Sequence, residues 1–168
     1  MDMNPELIEK EFLQFLAKAH RHTYAAPKEI KQRYRCATPI LPGHRDYHFV
    51  DGDWAYHDSY SGKLWAPGSE VTFYKDEPFW RMSYQGQTPE GIPEEFAEEA
   101  FDKGLKPALM NFPDNMPFRG PPYFRSGDFE YFFKILQGDW KYFLAKEWIV
   151  HKRVKEVFFQ DVMGSLIK

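Results

Sequence analysis

The sequence lacks the features that would place it in several well-defined protein classes. It has one cysteine, Cys36, so no disulfide can form within the chain. Its first residues lack the basic and apolar regions of a secretory signal. No apolar run approaches the roughly 18 residues that a membrane helix needs. We therefore expect a cytoplasmic protein that is not inserted in a membrane.

The sequence also lacks the motifs of familiar enzymes. It contains no Gly-rich phosphate loop, no Cys-x-x-Cys pair and no Gly-x-Ser-x-Gly phrase. The net charge is -3, from 22 basic and 25 acidic residues, so the chain has no overall charge that favours nucleic acid or an anionic membrane. These absences argue against nucleotide hydrolases and thiol redox enzymes. They leave open whether the protein is an enzyme.

Aromatic residues are abundant. Phe, Tyr and Trp make up 18% of the chain, within a hydrophobic fraction of 43%. Because aromatic side chains suit half-buried pleated surfaces, we expect strands to dominate. A chain of 168 residues is long enough for one core and short for two. We predict a single α+β domain over residues 1–168, in which a strongly curved antiparallel β-sheet of about six to eight strands packs against two helices.

The two predicted helices lie at the N-terminus and in the middle of the chain. The first, over residues 1–20, has apolar residues at helical spacing that form one stripe: Leu7, Ile8, Phe12, Phe15, Leu16 and Ala19. The second, over residues 94–105, is inserted into the sheet region 46–168 and starts with acidic residues. We expect Gly104 and Pro107 to mark its end.

Residues 21–45 show no periodicity and predict a long basic loop between the first helix and the sheet. The loop contains almost no acidic residues that could pair with its cations, which are Lys28, Lys31, Arg33 and Arg35. Long loops in compact domains often cover a cleft or contact a partner, whereas others are solvated connectors. The sequence leaves both alternatives open.

A first hairpin is predicted over residues 47–60, where apolar and polar residues alternate around Asp51-Gly52, a strong turn signal. With that pair as the turn, Phe49 lies opposite Trp54. The predicted core face then carries Tyr47, Phe49, Trp54, Tyr56, Asp58 and Tyr60. The predicted solvent face carries Asp46, His48, Asp53, His57 and Ser59.

A second hairpin is predicted over residues 71–84, with its turn at Asp76-Glu77. Pairing around this turn gives an apolar face of Val71, Phe73, Trp80, Met82 and Tyr84. The opposite face carries Thr72, Tyr74, Phe79, Arg81 and Ser83. Glu70 would lie diagonal to Arg81, where the two side chains could form a surface ion pair.

Asp58 is the most informative single residue, because the first hairpin places its carboxyl on an apolar face. A buried acid needs partners. It could be a general acid/base with a raised pKa, or a structural carboxylate held by tyrosine hydroxyls, backbone amides or Arg119. The guanidinium of Arg119 could bind an anionic ligand, or it could pin its own loop to Asp58 or Glu70.

A ligand pocket would form if Asp58 or Arg119 converged on the apolar space of the second hairpin. On that hypothesis the ligand-binding residues are Asp58, Tyr60, Trp80, Met82, Tyr84, Arg119 and Tyr131. The alternative is that the aromatic residues belong to an ordinary core. On the polar hairpin face, His48 and His57 lie diagonally near two acids, and such residues rarely converge on a metal. We therefore predict no metal site and no cofactor.

Several phrases of the sequence are characteristic: Asp51-Gly52-Asp53, Asp58-Ser59-Tyr60, Gly68-Ser69-Glu70, Pro78-Phe79-Trp80-Arg81-Met82-Ser83-Tyr84-Gln85-Gly86, Phe118-Arg119-Gly120-Pro121 and Gly138-Asp139. Through them the chain resembles a family known as a domain of unknown function, family 5680, over residues 12–168. The resemblance implies a domain of bacterial proteins, sometimes C-terminal to helix-turn-helix regulators. It implies no known reaction.

Three functions remain open from the sequence. The leading hypothesis is a binding or sensing domain for a small molecule, held in an aromatic pocket by the Asp58 and Arg119 pair. The first alternative is a small metal-independent enzyme that uses Asp58 as general acid/base. The second is a module that binds an acidic protein or a nucleic acid through the basic residues 28–35. An uncovered edge strand would in addition favour a homodimer.

Overall fold

Eight antiparallel strands form one open sheet, which confirms the α+β class and the antiparallel arrangement. The computed structural model describes residues 5–167, so the first four residues of the predicted N-terminal helix lie outside the described part. The strands are β1 (Arg45–Asp51), β2 (Trp54–Tyr60), β3 (Gly68–Tyr74), β4 (Glu77–Gln87), β5 (Tyr123–Ser126), β6 (Phe129–Asp139), β7 (Tyr142–His151) and β8 (Lys155–Leu166).

The sheet consists of two four-stranded meanders joined side by side. Its strand order is β1-β2-β3-β4-β8-β7-β6-β5, so β4 of the first meander pairs with β8, the last strand of the second. Four helices connect or precede the meanders: α1 (Pro5–His20), α2 (Lys28–Lys31), α3 (Glu94–Ala100) and α4 (Lys106–Leu109). None of the helices within residues 5–167 is long and apolar enough to cross a membrane.

The first hairpin turns at Gly52-Asp53, one residue later than predicted. Asp51 pairs with Trp54, and Phe49 therefore lies opposite Tyr56 instead of Trp54. Gly52 has a φ of 60°, a conformation that glycine adopts at little cost, so it takes the first position of the turn. Because the partners move by two residues, the faces keep their predicted sides. Tyr47, Phe49, Trp54, Tyr56 and Asp58 are all buried, as predicted.

The second hairpin turns at Lys75-Asp76, also one residue away from the prediction. Both residues have positive φ, 52° and 66°, as the two-residue turns that suit twisted hairpins require. Tyr74 therefore pairs with Glu77. The sequence signal was weak here, since neither turn residue is glycine.

A bulge in β4 at Phe79 reverses the predicted faces of β3, because Phe73 pairs with Pro78 and Phe79 has no partner on β3. The register shifts between Thr72 and Phe73, and Thr72 then lies opposite Trp80. The buried residues of β3 are Glu70 and Thr72. The prediction that Val71 and Phe73 share the face of Trp80 was therefore wrong.

Helix α1 packs its predicted stripe on the first meander. Phe12 is fully buried, and its ring centroid lies 5.3 Å from that of Trp80 and 6.1 Å from that of Trp54. Phe15, Leu16 and Ala19 are buried beside it, whereas Leu7 of the predicted stripe is 56% exposed. The helix thus covers one half of the inner sheet face.

The mid-chain helix is longer than predicted, because Pro107 does not end it. After α3 the chain makes one π-helical turn, Phe101–Leu105, and continues directly into α4. Pro107 lies in the first turn of α4, where its missing amide hydrogen is tolerated. Gly104 lets the π turn approach the sheet, since a Cβ there would be 3.3 Å from side-chain atoms of Phe129 and Ile149.

The basic loop covers part of the β1 edge. The amide of His48 donates to the carbonyl of Tyr34 (2.8 Å), and the amide of Cys36 donates to that of Asp46 (2.9 Å). Helix α2 gives the loop one helical turn that the sequence did not predict. The loop is therefore bound to the sheet at one end of its course.

Phe12 should make a large contribution to stability, because it fills the space between α1 and the sheet. We expect Phe12→Ala to lower the free energy of unfolding by roughly 3–5 kcal/mol. The matched control is Leu7→Ala on the same helix, which should change it by less than about 0.5 kcal/mol. Urea denaturation measures both, and equal effects would show that α1 is not held by this stripe.

Candidate functional site

A cavity of about 310 Å³ opens over the inner sheet face, between α1 with its following loop and the α3–α4 segment. Its floor is polar and is formed by Asp58, Glu70, Tyr84, Arg119 and Gln160. Its walls are largely apolar and are formed by Tyr24, Tyr60, Leu64, Phe101, Leu105 and Phe158. Its mouth is charged and is formed by Arg45, Lys63, Glu98, Asp102 and Lys106.

Asp58 lies at the centre of the floor. It is on the inward face of β2 and is only 2% exposed. The hydroxyl of Tyr84 donates to its Oδ1 at 2.7 Å. Within residues 5–167 no second donor lies within hydrogen-bond distance of this carboxyl. Because Asp58 lines the cavity and its hydrogen bond from Tyr84 uses Oδ1, Oδ2 is the atom that could accept a hydrogen bond from a ligand.

Tyr84 reaches Asp58 because β3 carries a glycine between them. Gly68 pairs with Tyr84 on one side and with Tyr60 on the other. A Cβ on Gly68 would lie 2.4 Å from the Tyr84 hydroxyl oxygen, so the ring occupies the space of the missing side chain. The glycine thus lets a β4 tyrosine cross β3 and contact an acid on β2.

Glu70 faces Asp58 directly across β2 and β3. It is 4% exposed, and its Oε2 lies 2.8 Å from Nε2 of His20 at the end of α1. Its Oε1 lies 3.7 Å from Nη1 of Arg119. The predicted surface ion pair with Arg81 was therefore wrong, because the bulge in β4 at Phe79 shifts the register and Glu70 lies inward.

Arg119 is pinned by Glu147, a fully buried acid on β7. Its Nε and Nη2 donate to the two carboxylate oxygens at 3.1 and 2.8 Å. Tyr131 and Gln160 also donate to this carboxylate. This bidentate pairing occupies the edge of the guanidinium formed by Nε and Nη2, and Nη1 faces Glu70. Pinning was one predicted alternative, although with Asp58 or Glu70 as the partner.

The loop of Arg119 is held by a close backbone contact. The amide of Gly120 donates to the hydroxyl of Tyr131 at 2.9 Å, and a Cβ there would lie 2.6 Å from the Tyr131 ring. Only glycine allows this approach. Arg119 is therefore fixed from two sides, by Glu147 and by its own backbone.

The floor disfavours a negative charge on Asp58. Burial raises the pKa of Asp58 well above its ordinary value, and the facing Glu70 carboxylate raises it further. The hydrogen bond from Tyr84 and the charge of Arg119 offset only part of this effect. Burial and the Asp58 charge likewise raise the pKa of Tyr84. Asp58 therefore holds a proton more readily than an ordinary aspartate.

The ends of the basic loop form one side of the cavity. Tyr24 and Tyr60 meet edge to face with ring centroids 5.3 Å apart. Arg45 lies over the Tyr60 ring and donates to the carbonyl of Gly62 at 3.2 Å. Lys106 lies over the Tyr24 ring. Tyr24 and Arg45 thus bring the two ends of the loop to the cavity, and none of residues 25–44 is among its lining residues.

The structure brings together four of the seven predicted ligand-binding residues. Asp58, Tyr60, Tyr84 and Arg119 all line the cavity. The other three do not line it: Trp80, Met82 and Tyr131, each fully buried. Trp80 donates from its indole to the carbonyl of Trp140, and Tyr131 binds Glu147. These three residues belong to the core, as the alternative interpretation of the aromatic residues proposed.

The sequence analysis did not identify Glu147 and Gln160 as members of the buried polar network. One signal was present for Glu147, because the inward residues of β7 alternate and Glu147 is one of them: Phe143, Ala145, Glu147 and Ile149. An acid in such a set is the pattern that singled out Asp58. Glu70 was named as a possible partner of Arg119, but its burial was not predicted, because the bulge in β4 is not visible in the sequence.

Asp46, on the outer face of the first hairpin, is buried, although it was predicted to face solvent. This residue is 1% exposed and accepts hydrogen bonds from the amide of Ile40 and the hydroxyl of Ser59, each at 2.8 Å. Although burial alone would raise it, these bonds hold the pKa of Asp46 below its ordinary value. His57 lies opposite His48, not diagonal to it. Among residues 5–167 no three His, Cys, Asp or Glu side chains are placed to hold a metal ion.

Fold and site together define an α+β domain with a polar cavity on the apolar face of an open antiparallel sheet. A family model described as a domain of unknown function (DUF5680) matches residues 58–167, more than half of the chain. The chain therefore belongs to this family. The matched segment starts at Asp58, later than the predicted start, and contains every floor residue. Searches of the curated proteins and of the solved structures each gave no match.

The ion pair of Arg119 and Glu147 should be costly to break from one side. We expect Arg119→Met to lower the free energy of unfolding by roughly 3–5 kcal/mol, because it leaves Glu147 buried without its cation. Adding Glu147→Met should restore most of this loss. Denaturant unfolding of both single variants and the double variant measures the coupling. Additive effects would contradict a mutual dependence of the two residues.

Asp58 should make the protein less stable as the pH rises. Its folded pKa lies above the unfolded value, so the folded state retains a proton that the unfolded state loses. Wild-type stability should therefore fall as the pH rises from about 4 through the folded pKa. Asp58→Asn removes this titration, and its stability relative to wild type should be higher at pH 8 than at pH 4. Parallel pH profiles of the two proteins would refute this assignment.

Proposed function

We propose that this domain binds a small molecule in the cavity above Asp58. The observation that carries the proposal is that Asp58 is almost wholly buried yet keeps one carboxyl oxygen open to the cavity. A carboxyl oxygen that lies at the floor of a cavity without a protein donor is available to a ligand that displaces water from it. A ligand would supply the missing hydrogen bond.

The composition of the cavity supports this proposal. Binding sites for small molecules are concave and mainly apolar, with a few placed polar groups, and about 300 Å³ is at the small end of their range. Here the apolar walls surround a floor whose polar side chains are fixed: Tyr84 by Gly68 and Asp58, and Arg119 by Glu147. Fixed polar groups orient a ligand without a further entropic cost.

A second candidate function, acid-base catalysis, is favoured by the same carboxyl. A general acid at neutral pH needs a pKa above the ordinary range of aspartate, and burial beside Glu70 provides this for Asp58. In the fold Tyr84 contacts Asp58, and Arg119 is occupied by Glu147. The chemistry that fits best is donation of a proton from Asp58 to a bound molecule.

A thermal-shift screen of metabolites tests the binding function. A compound present at about 100 times its Kd should raise the Tm of wild type by roughly 5–10 °C. The shift should disappear in Ala66→Trp, which fills the cavity at its wall, and should weaken in Tyr84→Phe, which removes one floor hydroxyl. Leu136→Trp on the outer sheet face is the matched control and should keep the full shift.

Two outcomes of the same screen decide between the functions. Mass spectrometry of each stabilising compound shows whether wild type converts it and whether Asp58→Asn does not, which would favour catalysis. If every compound that stabilises wild type also stabilises Ala66→Trp equally, binding does not occur in this cavity and the proposal is wrong.

A further inference from the structure

The buried polar network of the floor contains more acids than cations. Three buried carboxyl groups share it, those of Asp58, Glu70 and Glu147. Within residues 5–167, only Arg119 and His20 reach these acids with groups that can carry a positive charge. Arg119 is bound by Glu147, and His20 by Glu70. Even with His20 charged, Asp58 has no cation of its own.

The charges at the mouth do not supply that cation. Lys63 pairs with Glu94 at 2.6 Å, and Lys106 pairs with Asp102 of the preceding helical turn. Arg45 lies over the Tyr60 ring and donates to a backbone carbonyl. Each of these three cations therefore has another partner, and none of them forms an ion pair with Asp58.

The cavity walls suit a cationic group. Four aromatic rings line the space above the floor, those of Tyr24, Tyr60, Phe101 and Phe158. Two of them already carry a cation of the protein over one face, since Lys106 lies over Tyr24 and Arg45 over Tyr60. The faces of aromatic rings attract cations, most strongly where water is excluded. An anion would in contrast meet two acids on the floor, Asp58 and Glu70, and an arginine already bound by Glu147.

We infer that the small molecule bound in this cavity carries a basic nitrogen, as an amine, amidine or guanidine, which donates to Oδ2 of Asp58. This inference rests on the proposed binding function and names its ligand class. The protonated nitrogen balances the charge of the floor, because it lies against Asp58, the buried carboxyl that has no cation as its partner. The remainder of the ligand lies against the aromatic and apolar walls.

Binding of an amine should release a proton from Asp58, and this release can be measured. Burial and the facing acid favour a proton on Asp58 when no cation is near. A protonated amine that binds there lets Asp58 ionise, so binding releases the proton that Asp58 holds. The charged and titratable groups around Asp58 on its side of the sheet are Glu70, Tyr84, Arg119, Tyr24, Tyr47, Tyr56 and Tyr60, and Asp46 lies on the outer side.

A library of matched compounds tests the ligand class. Each set holds an amine, an alcohol and a carboxylate on one skeleton, for example tyramine, tyrosol and 4-hydroxyphenylacetate. We expect the amines to raise the Tm of wild type and the carboxylates to have no effect. Asp58→Asn should weaken amine binding by roughly 30-fold or more, since it removes the facing charge. Asp161→Asn, an exposed acid of the outer face, should leave it unchanged.

Titration calorimetry in phosphate and in Tris, buffers of different ionisation enthalpy, counts the protons released by wild type. Proton release that declines as the pH rises through the folded pKa of Asp58 is expected, and this measurement needs no variant. If alcohols or carboxylates bind in the cavity and amines do not, the ligand class is wrong while the binding function stands. If amines bind Asp58→Asn as tightly as wild type, the role of Asp58 is wrong. If no compound of any class binds, the proposed function fails with it.

Discussion

The ion pair between Arg119 and Glu147 connects the separate parts of this domain. Glu147 lies on β7 in the second meander, and Arg119 lies in the loop before β5. A buried carboxylate is expensive unless a cation and several donors surround it, and Glu147 has both. Once Arg119 is fixed there, its Nη1 lies 3.7 Å from Glu70 on β3 in the first meander. One interaction thus links both halves of the sheet beneath the cavity.

Glycines make this polar floor compatible with a close-packed sheet. At Gly68 the ring of Tyr84 crosses a neighbouring strand, and at Gly120 the ring of Tyr131 lies against the backbone. Each ring carries a hydroxyl to a polar partner that it would otherwise not reach: Asp58 in one case and Glu147 in the other. The close approach removes apolar voids while satisfying buried oxygens. Asp58 keeps one oxygen that this arrangement leaves to a ligand.

Strand periodicity predicted the buried face correctly in the first hairpin and incorrectly for β3 of the second. In the first hairpin the turn lies one residue later than predicted. Each residue of β1 therefore pairs with a β2 residue two positions away from the predicted partner, and side chains stay on their predicted faces. Asp58 was therefore correctly predicted on the buried face. In the second hairpin a bulge adds one residue, Phe79, to β4, and Glu70 then lies inward against the prediction. A bulge depends on tertiary packing as well as on local sequence, so pattern alone does not locate it.

The sequence by itself determined the class of fold, the aromatic strands, the amphipathic first helix and the acid on an apolar face. These features follow from alternation with periods of two and 3.6 residues, which is local. Only the tertiary structure decided that β4 pairs with β8, that Glu147 binds Arg119, and that Asp58 and Arg119 share one cavity while Trp80 and Met82 do not. Those outcomes depend on contacts between residues far apart in the chain. They are selected by the burial and charge balance of the whole domain, which no short segment carries.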